Sequence, residues 1–165
     1  MAKVFPLSEM KFALRGMPVE DFNWHTSERI SDLAGAKRLV FDFRSLDPGK
    51  FSFPYHFHYN AEELFFIISG ACSLRTPEGI RTLKAGDLAH FSSDASGAHQ
   101  LYNDTNEPCV YLDIRTFDGA DIAEYPDSDK IGIMPGRQFF EKKKASDYLE
   151  GELNPLERWN AVKSK

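Results

Sequence analysis

The chain has 165 residues, the length of one ordinary domain, and we expect a single domain over residues 1–165. Hydrophobic residues make up 42% of the sequence and aromatic residues 13%, which excludes a disordered or low-complexity chain. The formal net charge of −5 disfavours nucleic acid as a partner, because binding to phosphates needs clustered Lys and Arg.

Membrane and export signals are also absent from the sequence. No apolar run approaches the roughly 20 residues that cross a bilayer, and the N-terminus lacks the apolar segment of a secretory signal. Cys72 and Cys109 are too few for a disulfide framework and lie in apolar contexts, so we expect them to be buried and reduced. These features predict a cytoplasmic protein without a membrane partner.

The first third of the chain mixes signals. Residues 19–33 combine Trp24 with polar groups and predict a loop or a short helix, so we expect an irregular N-terminal segment. Over residues 37–46 the pattern changes, because Leu39, Phe41 and Phe43 alternate with other side chains. This period of two predicts a strand whose Leu39, Phe41 and Phe43 form the drier face.

Short strands separated by turns are predicted between residues 55 and 117. They cover residues 55–59, 63–69, 71–75, 80–83, 88–91, 99–103 and 109–116. Gly and Pro punctuate this region and no helical pattern intervenes, which favours an all-β antiparallel sandwich or barrel.

Regularity fades after Phe117. Residues 122–136 are rich in Asp, Pro and Gly and predict an ordered loop on the outside of the fold. Residues 138–149 predict a short helix, with Phe139, Phe140 and Leu149 available to pack. We expect residues 118–165 to form a C-terminal extension that wraps the barrel.

His56 and His58 are candidate metal ligands, because side chains at i and i+2 of a strand project from the same face. Glu63 opens the next predicted strand after a tight turn, so antiparallel pairing would place its carboxylate beside both imidazoles. Two neutral nitrogens and one hard oxygen suit Fe(II), Mn(II), Zn(II), Ni(II) or Cu(II). The same residues also fit ordinary polar strand positions with a solvated glutamate, and the residues alone leave both interpretations open.

Two spaced motifs resemble the conserved motifs of the cupin superfamily. The residues that resemble the first motif are Gly49, His56, His58, Glu63 and Gly70. Those that resemble the second are Gly86, Asp87, Gly97, His99 and Asn103, with Ser92 or Ser93 where a proline is usual. The 15 residues between them, 71–85, resemble the spacing of small microbial cupins. The resemblance covers residues 36–117 and implies a double-stranded β-helix, or jelly-roll, barrel core with a loop or short-helix C-terminal tail.

The resemblance also implies a site. Its metal ligands would be His56, His58, Glu63 and His99, which hold one divalent ion per chain (Fe, Mn, Zn or Ni). The assignment of His99 rests mainly on this resemblance. Around the ligands, the alternation of strand side chains predicts further inward or nearby residues: Phe65 and Ile67 as an apolar pocket wall, Leu101 and Asn103 beside His99, and His90. Asn103 is expected to be a structural hydrogen-bond partner. His90 is expected either to contact one of the metal ligands without binding the ion or to be a partly exposed strand histidine.

The flanking segments 32–35 and 125–129 resemble a subset of single-domain bacterial cupins that are described as similar to sugar-phosphate isomerases. The subset implies a metal-dependent enzyme that acts on a small molecule, with the ion as Lewis acid. Segment 125–129 either caps the barrel mouth or packs the tail. A phosphate group would need Arg or Lys near the barrel mouth, and Arg75 and Arg81 are available for it. No second acid or base on the inward faces is evident from the sequence.

Two other functions stay open at this point. One is an Fe(II)-dependent dioxygenase, and the other is a non-catalytic cupin that binds or stores a small ligand. The resemblance further implies a homodimer, joined through the N-terminal segment or a face of the barrel. Leu64, Phe66 and Ile68 have outward parity and need a cover, either from a partner or from the tail with Trp159.

Overall fold

Short antiparallel strands follow one another along most of the chain. The computed structural model describes residues 2–148, 150 and 155–163. Its strands are β1 (Ala13–Gly16), β2 (Asn23–Thr26), β3 (Leu39–Leu46), β4 (Phe57–His58), β5 (Glu63–Ser69), β6 (Ala71–Thr76), β7 (Gly79–Lys84), β8 (Leu88–Phe91), β9 (Gln100–Tyr102), β10 (Cys109–Thr116), β11 (Asp121–Tyr125), β12 (Lys130–Met134) and β13 (Gln138–Glu141). The α-helices are α1 (Ile30–Ala34) and α2 (Pro155–Lys163). Short 3-10 turns occupy Leu7–Glu9, Ala95–Gly97, Pro126–Ser128 and Lys142–Lys144.

The strands form three sheets. The largest has the order β1-β2-β3-β10-β5-β8, the second β13-β12-β11-β4 and the third β7-β6-β9. Side chains from the first and third sheets share one hydrophobic core, which includes Phe65, Leu74, Leu101 and Tyr111. This architecture confirms the predicted all-β jelly roll.

Turn glycines define where strands end. Gly70 follows β5 with φ +73°, in the left-handed region that favours glycine, and a Cβ there would overlap the carbonyl oxygen of Pro108. A Cβ on Gly97 would overlap the backbone of Ser92, so the loop before His99 also requires glycine. Both glycines belong to the two motifs that resemble those of the cupin superfamily.

The N-terminal segment is more regular than predicted. β1 and β2 form a hairpin, and β2 extends the sheet by pairing with β3. Both strands have only four residues and lie toward one edge of the sheet, so their sequences carry little alternation. The short helix α1 lies within the range 19–33 that predicted a loop or short helix.

The prediction that Leu39, Phe41 and Phe43 form the drier face of β3 is wrong. Its buried positions include Asp42 and Leu46, whereas Leu39 is exposed and Phe43 is half-buried. The side chains of Leu39, Phe41 and Phe43 therefore face outward, and those of Asp42 and Arg44 face the interior.

Two predictions after Phe117 are also wrong. Residues 121–134 are not an outer loop: β11 and β12 form a hairpin, and β11 pairs with β4 beside the barrel interior. Residues 138–148 are not a helix, because β13 pairs with β12 and a 3-10 turn at Lys142–Lys144 follows it. Pro and Gly here form the turns of hairpins, and Leu149 lies outside the described residues.

Helical structure in the tail is confined to α2. Its Trp159 side chain is exposed, so the described part of the tail leaves this residue without a packed environment. Neither α-helix among the described residues is long and apolar enough to span a membrane.

Asn103 is fully buried and ties two loops together through its side chain. Its Nδ2 donates to the carbonyl oxygens of Leu46 at 2.7 Å and Glu107 at 2.8 Å. Its Oδ1 accepts from the backbone N–H of Thr105 at 3.0 Å and from the Thr105 hydroxyl at 2.7 Å. These four bonds agree with the structural role predicted from the sequence.

We expect Asn103→Ala to lower the free energy of unfolding by about 1–3 kcal/mol, because it removes the Nδ2 donor from the buried carbonyl oxygen of Leu46 and the side-chain bonds to Thr105. Urea denaturation followed by circular dichroism measures the loss, and the folded fraction should keep its metal content. The control is Asn106→Ala in the same loop, where the side chain is exposed and the expected change is below about 0.5 kcal/mol. Equal losses in both variants would contradict the assignment.

Candidate metal centre

Four side chains from three segments of the chain converge in the barrel interior. His58 lies on β4 and Glu63 opens β5. His56 and His99 precede β4 and β9 and form a backbone bridge, with N–H to carbonyl distances of 3.2 Å and 2.9 Å. All four side chains are buried. The structure therefore brings together the complete set of residues that the sequence proposed.

The candidate ligand atoms lie close to one another. Those of His56, His58 and Glu63 are all within 4.8 Å of each other. Glu63 Oε2 is 3.4 Å from His58 Nε2 and 3.2 Å from His99 Nε2. The ring centroids of His56 and His99 are 4.8 Å apart. We call these four residues the histidine–carboxylate cluster.

Backbone carbonyls fix the tautomers of two of the histidines. His56 Nδ1 lies 2.8 Å from the carbonyl oxygen of Pro54, and His99 Nδ1 lies 2.8 Å from that of Gly97. A carbonyl oxygen can only accept a hydrogen bond, so each Nδ1 carries the proton. In its neutral form, each ring then keeps a lone pair on Nε2, which is the arrangement that metal-binding histidines use.

Asp121 orients the third histidine and was missed in the sequence. Its Oδ2 lies 2.5 Å from His58 Nδ1, and its Oδ1 accepts from the backbone N–H of Asn60 at 3.0 Å. Asp121, Ala123 and Tyr125 alternate along β11 and are all buried. That alternation was the available signal, but it becomes informative only once β11 is placed beside β4.

The donor set fits a divalent cation. Glu63 Oε2 and His99 Nε2 are buried and have no hydrogen-bond partner among the described residues. In the His99 tautomer fixed by Gly97, the two atoms are 3.2 Å apart and both are hydrogen-bond acceptors, with no proton between them. Buried acceptors without a donor are costly, and a cation between them removes that cost. Imidazole nitrogens with a carboxylate suit Fe, Mn, Zn or Ni.

Burial and neighbouring charges set the protonation of the cluster. Burial, together with repulsion from His99, lowers the pKa of His56 to about 3. Burial also disfavours the charged form of His58, but the hydrogen bond to Asp121 and the nearby carboxylate of Glu63 outweigh it and raise the pKa of His58 to about 9. For Glu63, burial is outweighed by the close rings of His58 and His99, which lower its pKa. Because a ligating imidazole is neutral, cation binding has to release the His58 proton.

Aromatic rings line the cluster on one side. Phe65 faces inward as predicted, with its centroid 5.4 Å from that of His99. Phe91, which the sequence analysis did not assign, stacks on His99 at 3.7 Å and 18°. Ile67 and Leu101 are fully buried and belong to the hydrophobic core.

His90 does not contact the cluster. It pairs with Leu64 across the β5–β8 ladder, on the outward face. Its side chain is 53% exposed, and its Nε2 lies 3.5 Å from Glu62 Oε1. Of the two interpretations that the sequence left open, the structure supports a partly exposed strand histidine.

Segment 125–129 contacts the cluster through Tyr125. The Tyr125 ring stacks on His56, with centroids 5.7 Å apart and an angle of 21°. Two residues later, Asp127 accepts two hydrogen bonds from the guanidinium of Arg75, at 2.6 Å and 2.9 Å. Arg75 is therefore committed to Asp127, and Arg81 is exposed on β7.

A buried ion cluster on the inner face of β3 and β10 was also missed. Arg44 Nη1 lies 2.6 Å from Asp113 Oδ2, and Arg44 Nε lies 2.8 Å from Asp42 Oδ1. The neighbouring Tyr111 hydroxyl is buried and has no hydrogen-bond partner among the described residues, and burial raises its pKa. Asp42 and Arg44 thus face the interior, where the sequence pattern had placed Leu39, Phe41 and Phe43.

A separate groove lies outside the barrel. It has a volume of about 600 Å³ and is lined by residues that include Tyr59, Ile122, Glu124 and Phe140. Glu124 accepts hydrogen bonds there from Tyr59 and Lys142, each at 2.6 Å. Ile122 and Glu124 alternate with the inward residues of β11, so this groove lies on the opposite face from the histidine–carboxylate cluster.

Fold and site together define a jelly-roll protein with a buried histidine–carboxylate cluster. Residues 43–115 match the family model of the cupin domain. These residues form a cupin domain, as the motif resemblance implied. No curated protein matches the sequence significantly.

Solved structures share this fold at low sequence identity. A putative sugar phosphate isomerase from Acidithiobacillus ferrooxidans is 23% identical, with a TM-score of 0.76 over 86% of this chain and 91% of that one. A sugar phosphate isomerase of the cupin superfamily from Silicibacter pomeroyi is 21% identical, with a TM-score of 0.74 over 90% and 98%. A predicted oxalate decarboxylase from Thermotoga maritima is 19% identical, with a TM-score of 0.58 over 70% and 100%. Likeness at this level shows the fold.

Proposed function

We propose that this cupin is a metal-dependent enzyme that acts on a small molecule, with one divalent ion held by His56, His58, Glu63 and His99. The observation that carries the proposal is the buried contact between Glu63 Oε2 and His99 Nε2, two acceptors that lack a donor. The reaction we favour is isomerisation of a sugar phosphate, the activity named for two proteins of the same fold.

The residues around the site have distinct roles in this proposal. Asp121 and the carbonyls of Pro54 and Gly97 hold the three rings through Nδ1, so that Nε2 is the nitrogen left to bind the ion. The bound ion supplies Lewis acidity toward an oxygen of the ligand. Phe65 and Phe91 exclude water from one side, which strengthens electrostatic contacts inside the barrel.

Isomerisation between an aldose and a ketose moves a proton from one carbon to its neighbour, so a group has to accept and return it. Asp113 is our candidate for this group. It lies on β10 two residues before Arg115, on the same inward face, and Arg115 stands opposite Glu63. The Tyr111 hydroxyl follows it on the same face. These residues supply the second acid or base that the sequence did not reveal.

The test is interconversion of an aldose phosphate and a ketose phosphate by metal-loaded protein under anaerobic conditions, followed by NMR. Chelator-treated protein is the control and should be inactive. Oxygen consumption with Fe(II) would contradict the isomerase and support the Fe(II)-dependent dioxygenase. Saturable ligand binding with no product under either condition would contradict both and support a binding or storage cupin.

We expect Asp121→Asn to weaken metal binding about 10- to 100-fold, because an amide is a poorer acceptor for the His58 Nδ1 proton than a carboxylate. Competition with a chelator measures the affinity. Asp118→Asn, an exposed residue in the preceding loop, is the control and should bind metal normally. Unchanged affinity in Asp121→Asn would contradict the orienting role.

We also propose a homodimer formed through the outer face of the six-stranded sheet. Phe43, Leu112, Phe66 and Leu88 stand side by side across four strands of this face. Leu88 is 61% exposed and Phe66 38%, and Trp159 of the tail is itself exposed. Contiguous exposed apolar surface of this kind marks interaction sites.

A cytoplasmic location remains a prediction, supported by the free thiols of Cys72 and Cys109.

Phe66→Arg is expected to convert the dimer into a monomer, because it places a charge in the centre of the proposed interface. Size-exclusion chromatography with light scattering measures the mass. The control is Ile80→Arg, an exposed apolar residue on β7, which should leave the mass unchanged. A monomeric wild-type protein would contradict the proposal.

A further inference from the structure

Arg115 lies beside the histidine–carboxylate cluster without a close carboxylate partner. It stands directly opposite Glu63 in the β5–β10 ladder. Its nearest carboxylate oxygen among the described residues is Asp121 Oδ2, 3.9 Å from Nη1 and beyond hydrogen-bond distance. That oxygen is already engaged by His58 Nδ1 at 2.5 Å. The guanidinium donors of Arg115 therefore remain available to another acceptor.

Two other arginines show how this chain satisfies a guanidinium structurally. Arg44 contacts carboxylate oxygens at 2.6 Å and 2.8 Å, and Arg75 contacts one carboxylate at 2.6 Å and 2.9 Å. Arg115 has neither arrangement, and 27% of its side chain is exposed. It therefore lies between the buried cluster and solvent, where an incoming molecule can reach it.

Arg137 brings a second positive charge to the same region. It lies in the turn between β12 and β13 with φ +52°, a conformation uncommon for a residue other than glycine. In the β11–β12 ladder, Met134 pairs with Asp121, so this turn lies at the Asp121 end of the sheet. Two residues after Arg137, the Phe139 ring lies 5.9 Å from the Tyr125 ring, measured between centroids. The turn that carries Arg137 is therefore close in sequence to the contact with Tyr125, the residue that stacks on His56.

We propose that Arg115 and Arg137 bind an anionic oxo group, phosphate or carboxylate, of the ligand that reaches the histidine–carboxylate cluster. This assignment rests on the proposed function and makes anionic small molecules its substrate class. Guanidinium groups form paired, charge-assisted hydrogen bonds with such groups. They also offset the negative charges of Glu63 and Asp121, which would otherwise repel an anion.

Calorimetric titration of the zinc-loaded protein tests the proposal with three probes: inorganic phosphate, glucose 6-phosphate and acetate. The variants are Arg115→Gln and Arg137→Gln, and the control is Arg81→Gln, an exposed arginine on β7. Each site variant should weaken phosphate binding about 10- to 100-fold, the effect of losing hydrogen bonds to a charged group. Metal content and melting temperature should stay unchanged, and Arg81→Gln should bind like wild type. Comparing acetate with phosphate decides which anionic group is preferred.

Equal phosphate affinity in wild type and both site variants would overturn the proposal. Loss of metal from Arg115→Gln would overturn it as well, because Arg115 would then serve to position Asp121. The proposed function fails separately: if wild type binds the anion through both arginines but interconverts no sugar phosphate, only the isomerase is contradicted. Turnover with an unchanged KM in both variants would contradict only the anion site.

Discussion

Replacing His58 with alanine is expected to weaken metal binding by more than about 100-fold while leaving the barrel folded, since even residues that only orient a ligand contribute 10- to 100-fold. His58 contacts Glu63 through Nε2 and Asp121 through Nδ1, so its removal costs both a nitrogen donor and the link to β11. The pairing of β4 with β11 is made by backbone groups and remains possible in the variant. Elemental analysis of the purified protein measures bound metal, and circular dichroism measures folding.

His90→Ala is the matched control for this experiment. It makes the same chemical change at a histidine that is exposed on the outer face beside Glu62. We expect this variant to keep the metal content of wild type. Full metal occupancy in His58→Ala, or equal loss in both variants, would contradict the ligand assignment.

The strands that the sequence predicted best share one property. β5, β8 and β10 are rich in apolar residues and lie next to Gly, Pro or polar turn residues, and their observed bounds agree with the prediction. β11 and β12 were read as loop, because their five-residue strands alternate with Pro, Asp and Gly in the turns. Local composition describes such turns well but does not show which strand they bring next to β4.

The parity of β3 shows a second limit. An apolar alternation predicts a dry inner face, but here the inner face holds Asp42 and Arg44. The alternating residues Leu39, Phe41 and Phe43 face outward. The pattern misleads because the barrel interior contains a polar cluster, while an outer apolar sheet face resembles a core in sequence. Asp113 was missed for the same reason.

The candidate site was predictable to different degrees. His56, His58 and Glu63 were proposed from strand alternation and one tight turn, and their ligand atoms do lie together. The predicted antiparallel pairing is wrong, because β4 pairs with β11 whereas β5 pairs with β10 and β8. His99 joins them through a bridge between distant segments, so only the family motif could place it. Asp121 and Arg115 depend on the packing of strands that no local pattern specifies.

Replacing Arg44 with methionine is expected to lower the free energy of unfolding by about 3–5 kcal/mol at neutral pH, because it leaves buried carboxylates without their counter-charge. Asp42 and Asp113 are both buried around the guanidinium. The matched control is Arg75→Met, which breaks an equally close contact with Asp127 between half-exposed side chains. That exposed pair should contribute no more than about 1 kcal/mol. Urea denaturation of the three proteins separates the two effects.

The loss in Arg44→Met should depend on pH with a defined sign. Burial raises the pKa of Asp113, Arg44 opposes that rise, and Glu63 and Asp42 add to it. A carboxyl whose pKa rises on folding contributes stability that is complete below its unfolded pKa, about 3.9, and is lost as pH rises through its folded pKa. Removing Arg44 raises the folded pKa of Asp113 further, because only the opposing charge disappears. The variant should therefore approach wild-type stability as pH falls toward about 4, where Asp113 is protonated, and fall furthest behind near neutral pH. A deficit that stays constant across this range would show that Arg44 acts through packing rather than through its charge.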